Sequence, residues 1–215
     1  LKNTGVEIDL KGTLIHTRDF MWRLGLNLTH YKNVVTDLPL KDMPVSGVHK
    51  LAVGRSVYDF YMKQWAGVDP ENGDPLWYKN VKDANDKITG RTTTNDYAQA
   101  DYYYTGKSSL PKVYGGFNTA FSYKGFELST IFAYSIGNYI VDRDVTMLWH
   151  NGSSTGRAWS TEILNRWTPE NRYTDVPALK TVSNSWNANS TRNLFNNSFL
   201  RMKLYDNVIF FIRNR

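Results

Sequence analysis

Few side chains in this sequence have the spacing that bond-making chemistry requires. His16, His30, His49 and His150 are scattered, and no two stand four apart, the spacing that sets two metal ligands on one helix face. Asp69, Glu71 and Asp74 resemble a calcium loop only superficially, because glycine and a terminal bidentate glutamate are not where such a loop needs them. With Pro70, Asn72-Gly73 and Pro75 around them they read as a turn. Residues Gly152 to Arg157 lack the Gly-Lys-Ser/Thr ending of a phosphate loop, and no Gly-x-Ser-x-Gly elbow is present. Cysteine is absent, which removes thiol nucleophiles and thiolate metal sites. These residues predict no catalytic centre, no metal and no cofactor. What remains is aromatic: Trp149, Trp159, Trp167, Tyr173 and Trp186 fall in one long, irregular segment. Aromatic faces in a loop stack on a sugar or peptide, or pack on a partner protein; packing of the loop on itself is an equal alternative.

The elements that position this segment follow from a period of two. In Val6-Glu7-Ile8-Asp9-Leu10-Lys11 apolar residues take the even positions and charges the odd ones. After a break at Thr17-Arg18-Asp19, Phe20, Trp22, Leu24, Leu26 and Leu28 share one face, with Met21, Arg23, Gly25, Asn27 and Thr29 on the other. Matching the faces across the break predicts a hairpin loop of odd length, three or five residues. The clearest hairpin spans residues 112–137 about Lys124-Gly125. A two-residue loop there pairs Tyr123 with Phe126, Phe121 with Leu128, Thr119 with Thr130, Phe117 with Phe132, Gly115 with Tyr134 and Val113 with Ile136. The other face then pairs small or polar residues, Ser122 with Glu127 and Ala120 with Ser129 among them. Phe121, Tyr123 and Phe126 gather beside the turn, as an interfacial girdle does.

Residues 33–55 and 138–186 read as long loops, with one short helix near 160–167 ended by Pro169; 57–65 reads as a weak strand and 79–97 as polar and unpatterned. Bulky residues on one face with no charge, small or polar residues on the other, short turns at one end and long loops at the other form the layout of an outer-membrane barrel. A soluble sandwich reverses the faces, with bulky residues inward. The chain's 215 residues include 14 Tyr and 7 Trp, aromatics that favour membrane interfaces. No apolar run reaches the ~18 residues of a membrane-crossing helix, whereas a crossing strand needs only ~9–11. A net charge of +6 is dispersed, without a basic block, which argues against a nucleic-acid groove. The chain opens on Leu1 without a leader and reads as a piece of something larger.

The sequence resembles the SusC/RagA type of TonB-dependent outer-membrane transporters. The resemblance runs through Asn3-Thr4-Gly5-Val6-Glu7-Ile8-Asp9-Leu10, Trp22 to Asn33, Tyr61 to Trp77 around Ala66-Gly67-Val68-Asp69-Pro70-Glu71-Asn72-Gly73-Asp74-Pro75, Leu110 to Asn118 and Phe121 to Leu128. It continues, in order, through Arg166-Trp167-Thr168-Pro169-Glu170-Asn171, Thr174-Asp175-Val176-Pro177 and Ser198 to Lys203. It implies an all-β fold: an antiparallel transmembrane β-barrel segment, part of a large plugged barrel, with long extracellular loops. It implies import of glycans or peptides through the outer membrane of Bacteroidetes-type bacteria, a SusD-like surface lipoprotein as lid, and TonB as energy source through a region this sequence lacks. Residues 1–205 are expected to be the partial barrel, from its C-terminal region, and 206–215 a tail that departs from the family. Glu7, Asp9, Lys11, Arg23 and Asn27 are expected to face the lumen, and Trp22, Leu24, Leu26, Phe117, Phe121 and Phe132 the lipid. Alternatives are a soluble carbohydrate-binding β-sandwich and a passive porin-like barrel.

Overall fold

The computed structural model describes residues 1–40, 43, 45–150, 156–180, 190–204 and 208–213, without side chains at 145, 146 and from 200 onward. In chain order the strands are β1 (Lys2–His16), β2 (Phe20–Val34), β3 (Asp59–Lys63), β4 (Trp65–Val68), β5 (Pro75–Lys82), β6 (Ile88–Thr94), β7 (Tyr102–Ser108), β8 (Val113–Tyr123), β9 (Phe126–Ile136), β10 (Tyr139–Val141), β11 (Leu194–Asn196), β12 (Phe199–Leu204) and β13 (Val208–Arg213). One short helix, α1 (Arg143–Leu148), joins them, with 3-10 turns at Tyr97–Gln99, Thr161–Asn165 and Thr191–Asn193. The fold is all-β and antiparallel apart from these turns. It divides into two compact units: Leu1–Asp59, Gly106–Ile140 and Phe195–Arg215 in one, Phe60–Thr105 and Val141–Leu194 in the other.

The first unit is a six-stranded sheet in the order β1-β2-β8-β9-β12-β13. Among the described residues it is open, with β1 and β13 as its outer strands. The β8–β9 register is the one the alternation predicts, from Tyr123↔Phe126 to Val113↔Ile136. Its turn places Lys124 at φ 47° and Gly125 at φ 89°, the left-handed geometry that matches strand twist in a two-residue hairpin. β2 joins this hairpin through Trp22↔Phe121, Leu24↔Thr119 and Leu26↔Phe117. β1 then pairs with β2 through Ile8↔Leu28, Leu10↔Leu26 and Asp9↔Asn27.

Two faces therefore run unbroken across four strands. Trp22, Leu24, Leu26, Phe117, Phe121 and Phe132 lie on one, with Val6, Ile8 and Leu10. Glu7, Asp9, Lys11, Arg23 and Asn27 lie on the other. The apolar face is not covered: Val6, Leu10, Tyr123, Phe126 and Leu128 are all exposed, Phe126 by 82%. A sandwich in water would bury this face. On the polar face Gly25 has no Cβ to obstruct the carboxamide of Asn118 on the neighbouring strand, and Asn27 Oδ1 accepts the Gly116 N–H at 2.8 Å.

The first hairpin corrects the sequence reading at its turn. Instead of an odd loop, Thr17 N–H donates to the Phe20 carbonyl at 2.8 Å across Arg18-Asp19, and the register slips by one between Thr13 and Ile15. The bulge restores the face matching that an even loop would break. Ile15, not an even-numbered residue, consequently stands opposite Trp22. The two tight turns are neighbours, since Lys124 N–H donates to the Asp19 carbonyl at 3.0 Å. The long excursions, after β2 and after β9, leave from the opposite end.

The second unit is irregular and carries more order than the sequence suggests. The expected strand at 57–65 is split between β3 and β4, and β2 runs on to Val34. Residues 79–97 hold the β5–β6 hairpin, Tyr78↔Thr93 and Asn80↔Arg91 being among its pairs. The helix expected near 160–167 is only the 3-10 turn Thr161–Asn165, capped by Ser160 Oγ. α1 was not foreseen.

Candidate functional site

The second unit assembles around the turn between β4 and β5. Asp69 N–H donates to the Asp74 carbonyl at 2.8 Å, and Gly73, at φ 75°, donates to the Asp69 carbonyl at 2.8 Å. The Asp69 carboxylate accepts from Glu71 N–H at 2.9 Å and from Asn72 Nδ2 at 3.1 Å. Asp74 accepts from Asn95 Nδ2 at 3.0 Å and forms an ion pair with Lys180. Partial burial opposes the charged form of Asp74, but these hydrogen bonds prevail and hold its pKa below the ordinary carboxylate value. The Asp69 carboxylate is thus engaged within the turn, as its Pro and Asn-Gly chemistry suggests, and that of Asp74 ties the turn to Asn95 and Lys180.

Behind the turn Trp77 is fully buried, edge-on to Trp65 at 5.8 Å and to Tyr97 at 5.3 Å. Burial, then the neighbouring Tyr102, pushes the Tyr97 phenol up to about 12. The Lys63 ammonium sits 4.1 Å over the Tyr97 ring and donates to the Tyr97 carbonyl; burial lowers its pKa, though Asp96 and Asp101 oppose the change.

In front lies a cavity of about 430 Å³ lined by Trp65, Trp149, Glu162, Asn165, Asp175 and Arg192. The Arg192 guanidinium carbon is 4.1 Å from the Trp149 ring centre and 5.0 Å from that of Trp65. Its Nη2 donates to the Asp175 carbonyl at 3.0 Å. Burial pulls its pKa down to about 10, against the field of Asp175 and Glu162. Thr191 Oγ1 accepts the Trp65 N–H at 3.0 Å, tying this corner to β4.

The loop aromatics of the sequence reading do not form one cluster. Trp149 lines the cavity. Trp159 donates from Nε1 to His150 Nδ1 at 2.8 Å, and Trp167 donates from Nε1 to the Pro70 carbonyl at 3.1 Å, so both pin loop to loop. Tyr173 is 92% exposed beside Pro70 and Arg172. Trp186 lies outside the described residues.

No family model matches the chain. Among curated proteins it is 28% identical over 194 residues to the TonB-dependent receptor P26 of Formosa agariphila, covering 82% of this chain and 19% of that one. It is 24% identical over 218 residues to the TonB-dependent receptor P3 of the same organism, covering 94% and 21%. Among solved structures it is similar to the RagAB peptide importer in its closed-closed state, with 31% identity, a TM-score of 0.78 and coverage of 94% of this chain and 22% of that one. The open-open state gives 30% identity, a TM-score of 0.77 and coverage of 94% and 21%. The chain belongs to the SusC/RagA type of TonB-dependent receptors. It spans about a fifth of the length of the curated relatives it matches.

For this SusC/RagA-type chain the sequence reading missed Trp65, Glu162, Asp175 and Arg192. The sequence places Trp65 at the end of a weak strand, Glu162 in a short helix and Asp175 in a long loop, and Arg192 lies beyond that loop. Their one signal was position, since Trp65, Glu162 and Asp175 sit in or beside the segments that carry the family resemblance.

Proposed function

We propose that the chain serves nutrient import through the outer membrane, as part of the large plugged β-barrel of a TonB-dependent transporter. The uncovered apolar face carries this reading. It runs without a charge from Val6 to Leu10 on β1, from Phe20 to Leu28 on β2 and along β8 and β9, with Lys2 and Lys32 joining the same face only at the end away from the tight turns; Val6, Ile8, Leu10, Tyr123, Phe126, Leu128 and Ile136 on it are exposed and its other large side chains half-buried. Lipid contact supplies the missing cover for Trp22, Leu24, Leu26, Phe117, Phe121 and Phe132, while Glu7, Asp9, Lys11, Arg23 and Asn27 line the lumen. The 15 residues of β1 and of β2 reach about 50 Å, more than a hydrocarbon core needs. The open edges at β1 and β13 pair with other strands of the same barrel, because lipid tolerates no free edge.

In this function the chain breaks no bond; the work is binding and passage. The excursions after β2 and β9 lie outside the membrane, where they meet substrate and a SusD-like lid lipoprotein. The cargo is a glycan or a peptide; the RagAB neighbour is named a peptide importer. The test is folding with and without detergent. The barrel reading expects strand circular dichroism and heat-modifiable migration in micelles and aggregation in buffer. A monodisperse β-rich protein in plain buffer would overturn it.

A further inference from the structure

We infer that the basic corner where β1 begins and β2 ends, beside the long excursions, holds the headgroup of an anionic, phosphate-bearing membrane lipid. This rests on the lipid-facing sheet of the import reading above and adds a partner that the reading does not name. Lys2, His30 and Lys32 share the apolar face with Val6 and Leu28, because Lys2 pairs with Val34, Thr4 with Lys32 and Val6 with His30. Lys2 and Lys32 are therefore diagonal neighbours, about 7–8 Å apart at the backbone. Both are exposed. Depth decides what they meet. Phe20 belongs to the aromatic group beside the tight turns, 6.4 Å from Phe121. From Phe20 to Lys32 the strand rises about 40 Å, or roughly 31 Å along the membrane normal at a tilt of ~40°. The apolar band of such a sheet is ~25 Å tall. The two lysines accordingly stand past the hydrocarbon, at headgroup depth, with Ile8 and Leu28 just inside it.

The charge at this corner is one-sided. A cavity of about 270 Å³ opens at the end of β2, with His30, Lys32, Arg55, Asp59 and Lys112 among its lining residues. His30 Nδ1 hydrogen-bonds to the Lys112 carbonyl, which brings the approach to β8 against β2. Asp59 is the one carboxylate in that lining, and the Ser56 N–H donates to it at 3.2 Å. Among the described residues Lys2, Lys32 and Lys112 have no ion-pair partner. The other end of the face differs. It finishes on Phe20, Tyr123 and Phe126, and the charges of its turns, Arg18, Asp19 and Lys124, are of both signs. At the basic corner phosphate oxygens accept charge-assisted hydrogen bonds from lysine and arginine, while the acyl chains of the same molecule lie on Ile8, Leu26 and Leu28. A free anion lacks that second contact, and a zwitterionic lipid brings an ammonium towards the cations.

The experiment is native mass spectrometry of the protein carrying this chain, purified in neutral detergent and titrated with phosphatidylglycerol, phosphatidylcholine or inorganic phosphate. Phosphatidylglycerol is expected to bind saturably and roughly tenfold or more tighter than phosphatidylcholine, and this preference to shrink in high salt. Inorganic phosphate alone is expected not to bind. Lys2→Gln with Lys32→Gln is expected to weaken phosphatidylglycerol roughly tenfold or more, since each lysine beside an anionic headgroup contributes about fivefold. Lys124→Gln, at the tight turns, is expected to leave it unaltered. Equal binding of the two lipids, a preference indifferent to salt, phosphate that binds as tightly as the lipid, or a double variant no weaker than Lys124→Gln overturns the seat. Heat-modifiable migration of the same samples separates the two readings. A protein that keeps it but shows no lipid preference sinks the seat alone, whereas one that never shows it sinks the barrel.

Discussion

Phe117 and Phe132 stack face to face across the β8–β9 ladder, ring centres 4.1 Å apart and 12° from parallel. Trp22 and Phe121 stack in the same way one strand over, at 5.4 Å and 18°. These are cross-strand neighbours on the uncovered face, so the sheet presents joined aromatic surfaces rather than separate rings. The one-residue alternation makes a sharp test. Phe132→Arg is expected to cost about 2–4 kcal/mol in a bilayer, the penalty for a cation on a lipid face near the midplane. Ala133→Arg, one residue along and on the polar face, is expected to stay within about 0.5 kcal/mol. Urea unfolding in liposomes measures both. Equal penalties would mean that the two faces do not differ in environment.

That face was legible in the sequence because a half-wet strand imposes a period of two, and Lys124-Gly125 fixes which pairs meet. All pairs from Tyr123↔Phe126 to Val113↔Ile136 follow from those two facts. The turn at Arg18-Asp19 was not legible. An odd loop and an even loop with a bulge give the same alternation, and only the backbone at Thr13 to Ile15 distinguishes them. The β5–β6 hairpin was hidden because its strands, with Lys79, Asn80, Arg91 and Thr92, carry no apolar alternation. The cavity between Trp65 and Trp149 was hidden for another reason. Trp65 and Arg192 are far apart in sequence, and contacts at that separation leave no local period.

Arg23 reaches over β8 to Glu127, with Nη2 3.0 Å from Oε1. Both side chains are about half exposed, at 51% and 57%. Solvent screening leaves such a pair with roughly 0–1 kcal/mol. Glu127→Gln is therefore expected to shift the urea midpoint by little, and the shift to shrink further in high salt. A loss well above about 1 kcal/mol would show that the polar face is drier than the sheet alone suggests.

Asp74 and Lys180 close the β4–β5 turn against the segment after Pro177. The folded pKa of Asp74 lies below the ordinary 3.8, held down by hydrogen bonds from Lys180 and Asn95 against the opposing effect of burial. A depressed acid pKa stabilises the folded form fully above the unfolded value and loses that stabilisation as pH falls through the folded one. The turn is thus expected to be insensitive to pH from neutrality down to about pH 4 and to loosen below it. Asp74→Asn should remove this acid-side dependence. Hydrogen exchange at Gly73 and Ala178, whose N–H groups donate to the Asp69 and Gly73 carbonyls, reports it directly. A dependence that survives in the variant would assign it to another carboxylate.

Trp167 and Tyr173 lie six residues apart in one loop and are expected to respond in opposite ways. Trp167 donates to the Pro70 carbonyl and packs against Gly73, so it holds the turn. Trp167→Ala removes a large ring and the indole donor of an exposed hydrogen bond whose carbonyl water can then reach, and a loss of about 0.5–1.5 kcal/mol is expected from that bond, with the ring's packing on Gly73 added to it. Tyr173 is 92% exposed, and Tyr173→Ala is expected to change stability by less than about 0.5 kcal/mol. An aromatic side chain exposed to solvent is suited to a protein contact, because with few rotatable bonds it offers large area at low entropy cost. On the proposed import reading, pull-down with a SusD-like lipoprotein should therefore weaken with Tyr173→Ala while thermal unfolding stays put. Undiminished capture by that variant would remove Tyr173 from the lid interface and leave it an ordinary exposed side chain.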